Sequence, residues 1–178
     1  MEFYEEFAKD VGYRLYVIGA NPHREPGTVE LSSCIGCMAV NRGECNHKGK
    51  KPYCRSIFTI CEGLYKEACR SNVCPYPSLR LGDLPRELLP EWKIGIDARL
   101  EEHKHIPDGS HVLVCWGSSG APVWLRKYEC KTIEVLKSKD CKIHCVKEND
   151  DKSPIHISRL CTDKDTLYMG YTRYNGNG

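Results

Sequence analysis

The 178-residue sequence predicts an α+β protein: a cysteine-rich, zinc-stapled N-terminal module followed by a small antiparallel β-barrel. Three observations carry that expectation. Cys34, Cys37, Cys45, His47, Cys54, Cys61, Cys69 and Cys74 crowd metal-ligating side chains into a stretch with too little aliphatic content to fold on an apolar core alone. From about residue 108 the chain breaks into short β-branched and aromatic runs of strand length. The charge is nearly balanced, 26 basic against 24 acidic residues, which excludes a global nucleic-acid-binding field and confines polyanion binding to local patches.

Taken in order, residues 2 to 11 place Phe3, Tyr4, Phe7, Ala8 and Val11 on one helical face, with Gly12 as a stop. Tyr13 to Ala20 reads as a strand and Thr28 to Ser32 as its returning partner, a hairpin leading into the cysteines. Ser56 heads a helical stripe of Ile57, Phe58, Ile60, Cys61, Leu64, Tyr65, Ala68 and Cys69, where a serine suits the N-cap. Asp83 and Pro85 open a second short helix that Pro90 ends. Residues 111–116, 122–128, 132–136, 142–147, 154–160 and 166–171 are six short strands, too few residues for a sandwich and enough for a curled barrel. The expected division is 1–90 for the zinc module, 91–106 for a linker, 107–172 for the barrel and 173–178 for a frayed tail.

The chemistry of the cysteine series is that of zinc. Thiolates and imidazole bind it tetrahedrally from separate chain segments, and eight ligands suffice for two ions. Cys34-Ile-Gly-Cys37 has the two-residue gap and internal glycine of a zinc knuckle, Cys45-Asn-His47 enters from a following turn, and Cys69 and Cys74 form a looser return. Cys61 lies on the apolar stripe, where it reads either as a ligand or as a small buried hydrophobe. Disulfides are the alternative staple, favoured only outside the cell, and the N-terminus shows no secretory pattern. No stretch approaches the roughly 18 to 20 apolar residues that span a bilayer. Zinc and an intracellular setting, cytoplasmic or nuclear, are therefore expected. Cys141, His144 and Cys145, with Cys130 or Cys161, have the types for a further site.

Three resemblances accompany these readings. Residues 108–162, with a glycine turn, Trp116, a Gly117-Ser-Ser-Gly120 tip, and Trp124 and Tyr128 on a second strand, look like a Tudor or SH3-like barrel. That likeness implies an aromatic cage of Trp116, Trp124 and Tyr128 holding a methylated protein tail by cation–π attraction. In order alone, residues 34–74 resemble a RING finger, the ubiquitin-ligase module, although the six-residue gap from Cys54 to Cys61 replaces that family's knuckle of two. Gly117-Ser118-Ser119-Gly120-Ala121-Pro122 resembles the nucleophile loop of trypsin-like proteases, which implies Ser119 as nucleophile with His47 and Asp83 upstream.

The function expected is binding, not turnover. A protein or peptide partner comes first, and nucleic acid gripped by Lys48, Lys50, Lys51 and Arg55 is the alternative. Lys137, Lys139 and Lys142 form a second basic group.

Overall fold

The sheet runs parallel throughout. In the computed structural model, which describes residues 14–23, 37–117 and 120–157, four strands line up in the order β2-β1-β3-β4. They are β1 (Arg14–Gly19), β2 (Glu67–Asn72), β3 (His111–Val114) and β4 (Lys142–His144). β1 pairs with β2 from Arg14 opposite Glu67 to Gly19 opposite Asn72, and with β3 from Tyr16 opposite Val112 to Ile18 opposite Val114. β3 pairs with β4 from His111 opposite Lys142 to Leu113 opposite His144. Parallel strands cannot be joined by hairpins, and each needs a crossover. The crossovers are supplied by α1 (Pro52–Cys61), α2 (Pro90–His103) and α3 (Val123–Ser138). This is an α/β fold, and the expected antiparallel barrel is overturned.

The largest correction is α3. Residues 122–128 and 132–136, expected as two strands, fall in one 16-residue helix, Val123–Ser138, with Pro122 as its N-cap. Its β-branched and aromatic residues suit a strand, but Trp124, Leu125, Tyr128, Glu129, Thr132, Ile133 and Leu136 are buried together at helical spacing. Thr132 adapts to the helix by donating its hydroxyl to the Tyr128 carbonyl at 2.8 Å.

Two other elements shift. α1 begins at Pro52, in the first turn, where a missing N–H costs nothing, and Ser56 sits inside it, buried, donating to the Ile157 carbonyl at 2.7 Å. The helix ends at Cys61, Gly63 follows with φ +73°, and the stretch expected to prolong it becomes β2. Pro90, expected to end a helix, starts α2 through the first expected linker residues, while Leu81–Asp83 is a single 3-10 turn. The sheet takes β1 and β2 from the first half of the chain and β3 and β4 from the second. The opening helix over residues 2–11, the returning strand over 28–32 and the strand over 166–171 fall outside the described residues.

Strand alternation divides the core between two faces of the sheet. Leu15, Val17, Ala68, Leu113 and Cys115 pack with Ile57, Ile60 and Cys61 of α1. Ile18, Val112, Val114 and Ile143 pack with Ile96 of α2 and with Trp124, Leu125, Tyr128, Ile133 and Leu136 of α3. Three layers result. No helix among the described residues is long and apolar enough to cross a membrane.

Candidate metal centre

Residues 37–51, ahead of α1, form a turn-rich excursion against the outer edge of β2. Hydrogen bonds from Cys45 N to Arg42 O (3.3 Å), Lys48 N to Cys45 O (2.9 Å) and Lys50 N to His47 O (3.0 Å) chain successive turns together. Lys48 and Gly49 both take positive φ, 53° and 71°, and Arg42 Nε donates to the Lys48 carbonyl at 2.7 Å. The turns deliver Cys45 and His47 to one point. α1 delivers Cys54 from its first turn to the same point.

The ligand atoms of Cys45, His47 and Cys54 all lie within 4.8 Å of one another. Tetrahedral zinc with two thiolates and an imidazole separates its ligands by roughly 3.5 to 3.8 Å, so a small contraction accommodates the ion. Cys54 and Cys45 are buried, at 0% and 2% exposure, and His47 is half-buried. The donor set is the soft one that zinc takes in structural sites, and these three residues can hold a metal ion. No disulfide joins two of the described cysteines.

Cys61, Cys69 and Cys74 do not join this group. Cys61 packs into the α1 face of the sheet, and burial pushes its thiol up to about 12, the behaviour of a small apolar side chain. Cys74 is buried in the core on the opposite face. Cys69, on β2, has its sulfur 3.6 Å from that of Met38, and burial raises its thiol above the ordinary value. Cys34 lies outside the described residues. Cys45, His47 and Cys54 form the one group of three or more candidate ligands among the described residues, so a second ion has no assembled site there.

Trp116, Trp124 and Tyr128 are core residues, 1%, 7% and 4% exposed. Trp116 follows β3, whereas Trp124 and Tyr128 stand one turn apart on α3. Trp124 donates its indole N–H to the Pro85 carbonyl at 2.7 Å and Tyr128 donates its hydroxyl to Asp97 at 2.6 Å. Packed inward, the three rings leave no open cage for a methylated side chain. Ser119 lies outside the described residues, His47 belongs to the metal group, and Asp83 closes the 3-10 turn. Cys141, His144 and Cys145 likewise form no group of three with one another among the described residues. His144 instead stacks on His111, Nδ1 of His111 lying 3.1 Å from Nε2 of His144. That pair is invisible to spacing, because only the β3–β4 register brings residues 33 apart together.

The basic residues Lys48, Lys50, Lys51 and Arg55 are all exposed, strung from the last turn of the excursion into the start of α1. Arg70 of β2 is a buried cation beside the excursion that sequence reasoning passed over. It is 6% exposed and donates to the carbonyls of Cys37 and Ala39, at 2.6 Å each. An arginine set among Ala68, Cys69 and Ser71 in Glu67-Ala-Cys-Arg-Ser-Asn72 was the available signal. Compared with protein families, curated proteins and solved structures, the chain shows no match.

Proposed function

We propose that this chain is a zinc-binding protein whose metal is structural, fixing a cysteine-rich excursion on an α/β domain so that its basic surface can engage an anionic partner. The convergence of Cys45, His47 and Cys54 carries the reading. A loop of this composition has no apolar core of its own, and a closed thiolate–imidazole site supplies folding free energy directly. Lys48, Lys50, Lys51 and Arg55 flank the ligands in sequence, so the same metal that orders the turns orders the charges. Native mass spectrometry under reducing conditions, followed by oligonucleotide binding at two salt concentrations, tests both parts. One bound zinc, lost in Cys54→Ser, and a steep fall of affinity with salt are expected. A metal-free folded protein would refute the first part, and salt-independent or absent binding the second.

A second reading is favoured by the strand order. The connections reverse between β1 and β3, and open α/β sheets take ligands in the crevice at the carboxyl ends of the strands where such a reversal occurs. Here those ends run into Asn21-Pro22-His23 and Trp116-Gly117. The Asn21 amide braces one side through Tyr76 O (3.0 Å) and Ser78 Oγ (2.8 Å), and on the other Gly117 N donates to Pro154 O (3.0 Å). A small-molecule site there predicts that fragments shift the amide resonances of His23 and Gly117 together. Hits confined to other surfaces would discard it.

A further inference from the structure

We infer that Cys37 is the fourth ligand of the metal centre and that Arg70 is the residue that positions it, an assignment resting on the zinc reading above. Three hydrogen bonds pin residues 37–39 along the free edge of β2: Ala68 N to Met38 O at 3.2 Å, Arg70 Nη1 to Cys37 O and Arg70 Nη2 to Ala39 O, both at 2.6 Å. Successive side chains of an extended segment alternate in direction. Met38 reaches the sulfur of Cys69, whereas Ala39 is buried in a small cluster with Cys45 and Cys54, and Cys37 packs against that cluster. Cys37 therefore stands on the ligand side of the segment. It also lines a cleft of about 450 Å³ with Met38, Ala39, Lys66, Glu67 and the two residues that flank Cys45 in sequence, Glu44 and Asn46.

Charge supports the same assignment. A zinc ion with three thiolates and a neutral imidazole carries a net charge of about −1, unfavourable in a buried setting unless a cation lies near. Arg70, hydrogen-bonded to the Cys37 carbonyl, places a cation beside that ligand. Its planar fork spends two donors on the carbonyls either side of Met38, and its Nε has no hydrogen-bond partner among the described residues. Groups that orient a ligand's backbone commonly set metal affinity within a factor of about 10 to 100.

Cobalt(II) substitution of the intact protein tests this, because thiolate-to-cobalt charge-transfer intensity counts the bound sulfurs. Wild type is expected to show three thiolates in a tetrahedral field, Cys37→Ser two, and Cys34→Ser an unchanged three. Cobalt bound with charge transfer undiminished in Cys37→Ser, or diminished in Cys34→Ser, overturns this assignment alone. A wild type that takes up no cobalt overturns the zinc reading with it. For Arg70, Arg70→Lys is expected to weaken cobalt binding about 10- to 100-fold in wild type and to add little in the Cys37→Ser background. Equal losses in both backgrounds would show that Arg70 acts on the fold and not through Cys37.

Discussion

Glu129 is the residue whose chemistry is most exposed to pH. Its carboxyl is 3% exposed on α3, and burial lifts it to about 8 against the attraction of Arg126. The ion pair is a weak counterweight: Arg126 reaches Oε2 only at 3.4 Å and also holds Asp151 at 3.0 Å, while Oε1 has no hydrogen-bond partner among the described residues. The folded protein thus keeps a proton that the unfolded chain releases near pH 4.5. Between those values unfolding releases a proton, so stability falls as pH rises, by at most about 1.4 kcal/mol per pH unit. His103 works in the opposite sense. Burial and Arg99 lower it from 6.5 to about 4, so it weakens the fold only as pH drops below about 6.5. Across the window from pH 6.5 to 8 the contribution of His103 levels off while that of Glu129 persists. Chemical denaturation across that window is expected to show a loss of up to about 2 kcal/mol in wild type and a flat profile in Glu129→Gln. A wild-type profile as flat as the variant's would mean that the carboxyl is ionised in the fold.

At the scale of elements, α3 ties the second core together, and Trp124 is its anchor. The indole touches Trp92 edge-on, with centroids 6.5 Å apart, and bonds to Pro85 across to the segment before α2. Trp124→Ala is expected to cost about 3–5 kcal/mol in urea denaturation, and Trp124→Phe, which keeps a ring and loses the hydrogen bond, distinctly less. A near-neutral alanine variant would instead suit a ring serving a surface site. Why the sequence concealed this helix is physical. Val123, Trp124, Tyr128, Thr132, Ile133 and Val135 have strand propensity, and Gly117 to Pro122 has turn chemistry, so local preference pointed to a hairpin. The buried positions recur at 124, 125, 128, 129, 132, 133 and 136, a 3.6-residue period that only packing against Ile143 and Val112 makes decisive. β1 and β3, by contrast, were legible, because a strand buried on both faces reads as a continuous apolar run such as Leu15-Tyr-Val-Ile18 or His111-Val-Leu-Val114.

At the scale of the molecule, strand order and direction depend on crossovers that no local pattern encodes, and misreading α3 as two strands made a parallel sheet unreachable from sequence. The metal site was legible to a different degree: residue types at short spacing marked Cys45, His47 and Cys54, but which cysteines fall on which sheet face required the fold to separate Cys61 and Cys74. That separation has a thermodynamic consequence. The excursion meets the sheet along the edge of β2 and through α1, while Ile18, Val112, Val114, α2 and α3 form a core on the far face without any metal ligand. On the structural-zinc reading proposed above, removing the metal therefore loosens one layer before the other. With a strong chelator present, amide exchange is expected to accelerate across 37–61 and at Ala68, whose N–H bonds to Met38, while the amides of β3 and α3 keep their protection. Exchange rising uniformly through β3 and α3 would show instead that the metal holds up the whole sheet, and that the two faces fold as one unit.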